Sequence, residues 1–459
     1  MAPRIGSNMV FGHRPVPDSM NLSLEALFTT ALGLQAPWVV KDIELNTAKH
    51  RIDFQVVCKA KRIDCPACGR VDQGIHDRVA RSWRHLDFFQ YEAWLHAEVP
   101  RVHCEGCGKT TQVSVPWARE GSGFTLLFEA LALSLCRELP VSQAARQLRV
   151  AAKRLWTRID FYIQAARAKD DMSQVRRIGV DETSVKKGHE YITVVHDLDA
   201  KRLLFACPGR DHTTLADFAQ DLKAHGGEPA AVEHACMDMS AAYTKGVTQS
   251  LPNASISYDR FHVIALANEA MDAVRREEMR TAAPAVRQAV GATDKKGVKR
   301  LYWAMRKNSE NWNRKQIDTM HWLQRSNLKS ARAWRLKQAL REVYAHARAH
   351  NDENEARTEL KAWLSWARRS RLEPFKRLAQ TVMDRFEGVV HGMLDGRSNA
   401  FVEAMNGLLQ QTKTAARGFR NVDTFIAIAY LRMSKLKHLP INPFVQATPR
   451  SAGCYVHRI

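Results

Sequence analysis

The chain has 459 residues, 45% of them hydrophobic, and a formal net charge of +21 from 69 Lys and Arg against 48 Asp and Glu. That length exceeds one ordinary core and calls for roughly two to four domains, and the apolar content excludes overall disorder. The charge makes polyanions the expected partners, nucleic acid ahead of an anionic membrane surface.

No apolar run is long enough to span a bilayer; the longest cover residues 26–40 and 126–136. The opening Met1-Ala-Pro-Arg-Ile-Gly lacks the apolar core of a signal peptide. A cytoplasmic protein is expected, in which the nine cysteines are thiols or metal ligands rather than disulfides.

Residues 1–37 read as a loose arm followed by a short helix over Leu22–Leu34. Residues 38–118 alternate strand-like runs with two cysteine pairs, Cys65-Pro-Ala-Cys68-Gly69 and Cys104-Glu-Gly-Cys107-Gly108. The two-residue spacer lets both thiolates of a pair reach one tetrahedral ion, and the following glycine permits the tight turn. With the strand-like run Tyr91–His103 joining the turns, this is a zinc-ribbon signature. Cys65, Cys68, Cys104 and Cys107 are expected to hold a closed, structural Zn2+. The nearby Cys58, His76, His85 and His103 are expected to pack or to face solvent.

Residues 119–170 have helical periodicity. Phe124, Leu127, Phe128, Leu131 and Leu135 share one face, Val141, Ala144, Ala145 and Leu148 a second, and Leu155, Trp156, Ile159 and Ile163 a third. The last two segments, joined by Arg149-Val-Ala151, suit a helix-turn-helix whose second helix enters the major groove, with Lys153, Arg154 and Arg158 placed to meet phosphate or guanine. A plain three-helix packing element is the competing reading.

Strands are expected over 175–181, 190–197, 202–207, 231–238 and 254–259, with a helix at about Thr213–His225, in a segment spanning residues 171–268. Three acids face away from apolar runs. Asp181 ends Val175-Arg-Arg-Ile-Gly-Val-Asp181, Asp238 ends Ala231-Val-Glu-His-Ala-Cys-Met-Asp238, and Glu403 lies on a helix whose apolar face is Phe401, Met405, Leu408 and Leu409. The connection from the first strand to the fourth is long enough for a parallel crossover. Asp181 and Asp238 can therefore stand side by side, with Glu403 arriving from its helix. Carboxylates so placed could hold two divalent ions for in-line displacement at a phosphodiester. Asp259, in Asp259-Arg-Phe-His262, also ends an expected strand and is the rival ligand; Glu182, Asp197, Asp199, Asp211 and Asp217 read as turn and surface residues. Asn399, Glu403, Asn406, Gln410, Lys413 and Arg417 form one polar stripe. It fits a metal site beside a phosphate backbone, and equally a solvated helix face.

Asp238 and Glu403 are 165 positions apart, more than one crossover uses. Residues 269–392 are accordingly expected to form an all-helical insertion, residues 393–440 the final helices, and 441–459 a tail. Arg300–Ala349 holds 12 Lys and Arg against 3 Asp and Glu. Trp303, Trp312, Trp322, Trp334, Trp363 and Trp366 interleave with basic residues here, as helix-packing core or as platforms for unpaired bases.

Gly179-Val-Asp181-Glu-Thr-Ser, Lys187-Gly-His-Glu-Tyr-Ile-Thr-Val-Val-His-Asp-Leu-Asp199, Met237-Asp238-Met-Ser-Ala-Ala-Tyr243, Asp259-Arg-Phe-His262, and Ser398-Asn with Glu403-Ala-Met-Asn406 and Ala416-Arg-Gly-Phe-Arg-Asn421 together resemble the bacterial insertion-sequence DDE transposases of the ISL-three group. The likeness covers nearly all of the chain after about residue 40. It implies a multidomain α/β protein: a zinc ribbon, a helix-turn-helix, and an RNase H-like catalytic core interrupted by the helical insertion. It further implies Asp181, Asp238 and Glu403 as the catalytic triad with Mg2+ or Mn2+, structural Zn2+, and double-stranded DNA (terminal inverted repeats and target) as partner. A homodimer or larger assembly on DNA is implied, with no membrane and no small-molecule substrate, in a bacterial cytoplasm at the nucleoid. Asn399, Asn406, Lys413 and Arg417 are the expected DNA contacts of the Glu403 helix. A DNA-binding regulator with an inactive core, or an RNase H-like structure-selective nuclease, are the alternatives.

Overall fold

The computed structural model describes residues 23–186, 190–394 and 400–444. Two compact units divide the chain, Met1–Leu135 with Pro440–Ile459, and Cys136–Leu439.

In the first unit, helix α1 (Leu24–Ala31) is capped by Ser23 and fastened to strand β1 (Trp38–Asn46) by the Val40 N–H, which donates to Thr29 Oγ1 at 2.9 Å. Strands β2 (Arg51–Cys58), β3 (Arg62–Ile63), β4 (Gln73–Arg84), β5 (Glu92–His103) and β6 (Thr110–Gln112) complete a sheet of order β1-β2-β5-β4-β3, with β6 on β5. Only β2 and β5 pair parallel in it. Alternate residues Ala93, Leu95, Ala97 and Val99 of β5 turn inward against Phe54, Trp38, Trp83 and Trp117, the period-two burial expected of a strand with one apolar face.

The division between the units falls along α2 (Leu126–Glu138). Its buried face is the expected one only in part: Phe124 and Phe128 are buried and Leu131 and Leu135 half-buried. Leu127 is 42% exposed, whereas Phe128, Glu129, Ala132 and Leu133 are buried. Phe124 precedes the helix, in a bridge to Arg84, and Glu129 is drawn inward by Arg119 Nε at 3.0 Å and Ser122 Oγ at 2.7 Å.

The second unit opens with α3 (Val141–Gln147) and α4 (Ala152–Arg167). Val141, Ala144, Ala145, Leu148, Leu155, Ile159 and Ile163 are all buried, as their spacing requires. Between the helices Arg149 takes the left-handed conformation, φ +55°, which turns the chain tightly into α4. Strands β7 (Arg177–Lys186), β8 (Glu190–Asp197) and β9 (Arg202–Pro208) follow, then α5 (Thr213–Ala224), β10 (His234–Met237), α6 (Ala241–Ser250) and β11 (Ser255–Tyr258). The sheet order is β11-β10-β7-β8-β9. β7, β10 and β11 are mutually parallel, while β8 pairs antiparallel with both β7 and β9. One expectation is corrected here: β7 does not end at Asp181. It runs on along β8 to Lys186, past the end of the shorter β10, so Asp181 lies inside a strand.

Helices α7 (Arg260–Thr281), α8 (Pro284–Ala289), α9 (Lys295–Arg306), α10 (Arg314–Arg325), α11 (Lys329–His350), α12 (Glu353–Arg369), α13 (Glu373–Met383) and α14 (Phe386–Leu394) come next, before α15 (Ala400–Ala415) and α16 (Val422–Met433). One apolar core runs from the sheet (Ile178, Val180, Met237) into these helices (Met271, Leu340, Phe375). Trp363 is buried in it and its Nε1 donates to Leu336 O at 2.8 Å; Trp312 and Trp334 are half-buried, while Trp303, Trp322 and Trp366 are exposed. The end of α4 is tied to this body. Arg167 donates to both carboxylate oxygens of Asp221 at 2.7 Å and lies 4.1 Å above the ring of Tyr430. No described helix is long and apolar enough to cross a membrane.

Candidate active site and nucleic-acid elements

The two cysteine turns are built alike. Cys65 N donates to Arg70 O and Gly69 N to Cys65 O; Cys104 N donates to Lys109 O and Gly108 N to Cys104 O. Gly69 and Gly108 have φ of +75° and +66°, a conformation that costs other residues free energy. Cys65 Sγ and Cys107 Sγ are 3.9 Å apart, Cys68 Sγ and Cys104 Sγ 3.6 Å, and all four lie within 4.8 Å of one another. Thiolates bound at about 2.3 Å on a tetrahedral zinc stand about 3.8 Å apart, so the cluster fits a structural zinc ion. Backbone N–H groups, Cys107's foremost, draw the Cys104 thiol below its ordinary value. His85, by contrast, is buried and bonded to Thr125 Oγ1 at 3.0 Å.

The acids are placed by strand register. Gly179 of β7 stands opposite Cys236 of β10, and Cys236 opposite Ser257 of β11. Two positions further on come Asp181, Asp238 and Asp259, one from each of three adjacent parallel strand lines. Successive residues alternate between faces: Ile178 and Val180 turn into the core, while Gly179 and Asp181 face α15. Gly179 is small for that reason, since a Cβ there would meet Val402 Cγ2 of α15 at 2.5 Å.

Asp181 Oδ1 accepts from Glu182 N at 2.7 Å and Oδ2 from Asn406 Nδ2 at 2.6 Å. Burial pushes its carboxyl up to about 6; the charges of Asp238 and Glu182 act the same way, against the Glu182 N–H and the charge of His262. Asp238 Oδ1 accepts from Ser240 N at 3.0 Å at the start of α6. Glu403 lies in the first turn of α15. Its carboxyl is raised by burial and then by the charge of Asp259, with His262 opposing. Among the described residues only the four cysteines bring three or more ligand atoms within 4.8 Å of each other. The carboxylates share a neighbourhood without forming a closed cluster.

Much of the polar stripe on α15 is turned toward β7. Asn406 bonds Asp181, Gln410 Nε2 donates to Thr183 Oγ1 at 2.6 Å, and Lys413 Nζ donates to Ser184 O at 2.7 Å. Asn406 and Lys413, expected at DNA, here dock the Glu403 helix on the strand that carries Asp181. Arg417 is exposed beyond the end of α15, and Asn399 lies outside the described residues, as do Lys187–His189 of the second motif. On α4, Lys153 and Arg154 are exposed and Arg158 is half-buried. Of the acids read as turn residues, Asp197 is buried, its Oδ1 accepting from Asp199 N and Ala200 N. Two roles were not legible in sequence: the grip of Asn406 on Asp181, and the charge of His262 acting on both Asp181 and Glu403.

Three family matches cover most of the chain: a family described as transposase over residues 178–429, the helix-turn-helix domain of transposase family ISL3 over 113–163, and the zinc-finger of transposase IS204/IS1001/IS1096/IS1165 over 61–107. A DNA-cutting and joining enzyme with DNA-binding domains is the class these define. The transposase for insertion sequence element IS1557 of Mycobacterium tuberculosis (strain ATCC 25618 / H37Rv) is 31% identical over 448 residues, 91% of this chain and 97% of that protein. The transposase for insertion sequence element IS1001 of Bordetella parapertussis is 26% identical over 371 residues, 80% of this chain and 87% of that protein. The chain belongs to the ISL3 family of insertion-sequence transposases.

Proposed function

We propose that this transposase binds the terminal inverted repeats of its insertion sequence and catalyses divalent-metal-dependent strand cleavage and strand transfer. Asp181, Asp238 and Glu403 form the catalytic triad. The observation that carries this reading is the docking of α15: Asn406 bonds the carboxylate of Asp181 itself, so the helix bearing Glu403 is held at the in-register strand acids. A mixed sheet with its acid-bearing strands adjacent and parallel supports an RNase H-like core, and helices α7–α14 between β11 and α15 support a helical insertion.

The donor set is carboxylate oxygen, which suits Mg2+ or Mn2+. When bound, such ions activate a water or 3′-hydroxyl and stabilise the leaving oxygen. Asp181 and Asp238 would hold them from the sheet and Glu403 from α15. The Asn406 and Glu182 N–H bonds fix the Asp181 carboxylate in one orientation. Cys65, Cys68, Cys104 and Cys107 hold zinc and stiffen the ribbon. Lys153, Arg154 and Arg158 on α4, with Arg417, meet the DNA backbone, and joining two ends calls for at least a dimer.

Incubating the purified chain and Mg2+ with DNA carrying the sequence that flanks its gene tests this. Nicks at the element boundary, followed by joining, are expected. Absence of any Mg2+-dependent nick, as for a DNA-binding regulator, would refute the reading. So would cutting without preference for the terminal sequence, as for a structure-selective nuclease.

A further inference from the structure

Asp259 ends β11 as Asp238 ends β10, and Asp259 N donates to Met237 O at 2.9 Å, so the two acids leave the sheet at the same level. Its side chain is 4% exposed. One oxygen, Oδ1, caps α7 by accepting from Phe261 N at 3.0 Å; the other, Oδ2, is buried without a hydrogen-bond partner. Among the described residues its one ion-pair neighbour is His262, whose Nε2 is 4.0 Å away, beyond hydrogen-bonding reach. The adjacent Arg260 instead points its guanidinium at the ring of Tyr344. An anionic oxygen kept from water with no donor is costly unless something positive meets it.

We propose that Asp259 is a fourth carboxylate of the cation site, its buried Oδ2 serving as a ligand to a divalent ion beside Asp238, its neighbour at the ends of β10 and β11. This rests on the triad reading above and assigns that site a ligand beyond the triad. The helix cap and the ligand are then one side chain, so the start of α7 is fixed to the cation.

The test is Mn2+ binding by the full-length chain, read as free Mn2+ by electron paramagnetic resonance, for wild type and for Asp259→Asn, Asp181→Asn and Glu403→Gln. Asparagine retains the capping oxygen. Asp259→Asn is expected to weaken Mn2+ binding by about tenfold or more, within the range that metal-site substitutions produce. If Asp259→Asn binds as wild type while the two triad variants lose binding, this inference falls and the triad stands. If none of the three variants changes Mn2+ binding, the triad reading falls and takes this inference with it. A second readout needs no variant: Fe2+-driven hydroxyl-radical cleavage of the wild-type backbone is expected next to Asp259 as well as Asp181 and Asp238, and no cut near Asp259 overturns the proposal.

Discussion

Replacing Asp181 with Asn isolates the electrostatic state of the site before any cation arrives. Burial lifts this carboxyl from 3.8 to about 6. Two units correspond to about 3 kcal/mol, and because the side chain retains some contact with water we take about 1–2 kcal/mol as the effective value. The folded-state pKa is raised, so the contribution to stability is whole below pH 4 and is lost as pH rises through about 6. Above that, folding confines an anion. Asn carries no charge and suffers no such loss. It also fits: Asn406 Oδ1 is buried without a partner, so a flip of the Asn406 amide lets it accept from the new side-chain amide while Glu182 N keeps its acceptor. In metal-depleted buffer at pH 8, Asp181→Asn should melt roughly 2–8 °C above wild type, given about 2–4 °C per kcal/mol for a large domain. The gap should close toward pH 4, and Mg2+ should raise the wild-type melting temperature more than the variant's. Differential scanning calorimetry reads all three. An unchanged or lower melting temperature at pH 8, or a gap that ignores pH, would refute the reasoning.

Elemental analysis should find one zinc per chain, lost in Cys65→Ser or Cys104→Ser together with the melting transition of the first unit, because ligand binding and folding are coupled at such sites; a wild-type transition in a zinc-free variant would contradict this. Gly179→Ala places a methyl 2.5 Å from Val402 Cγ2. It should cost about 1–3 kcal/mol by overpacking, and the double variant Gly179→Ala with Val402→Ala should recover much of it in a urea titration. Additive losses would show that α15 does not press on β7.

Much of this was legible in sequence because it was local. Two Cys-x-x-Cys-Gly turns declare their own geometry, and the spacing Val141, Ala144, Ala145, Leu148 fixes a helix face without reference to anything distant. All five expected strands are present, although β7 runs on to Lys186, past the end of its apolar run. What was not legible depends on a partner far along the chain. The stripe on α15 reads equally as a DNA-facing surface until β7 lies against it, when Asn406, Gln410 and Lys413 become its anchors. Asp181 ends an apolar run yet sits inside β7, because β8 outlasts β10 as a pairing partner. Leu127 has the right spacing for the α2 face and is exposed, displaced by a buried Glu129 that only Arg119 and Ser122 explain. Asp259 was visible as a strand-end acid, but its unbonded oxygen is a property of the folded surroundings alone.

The central claim, that three acids from two strands and one helix form a single catalytic centre, is tested most directly by end cleavage in Asp181→Asn, Asp238→Asn and Glu403→Gln, with binding to the same DNA ends measured in parallel. Cleavage should be abolished in all three while end binding persists. Normal cleavage by any one of them would contradict the assignment.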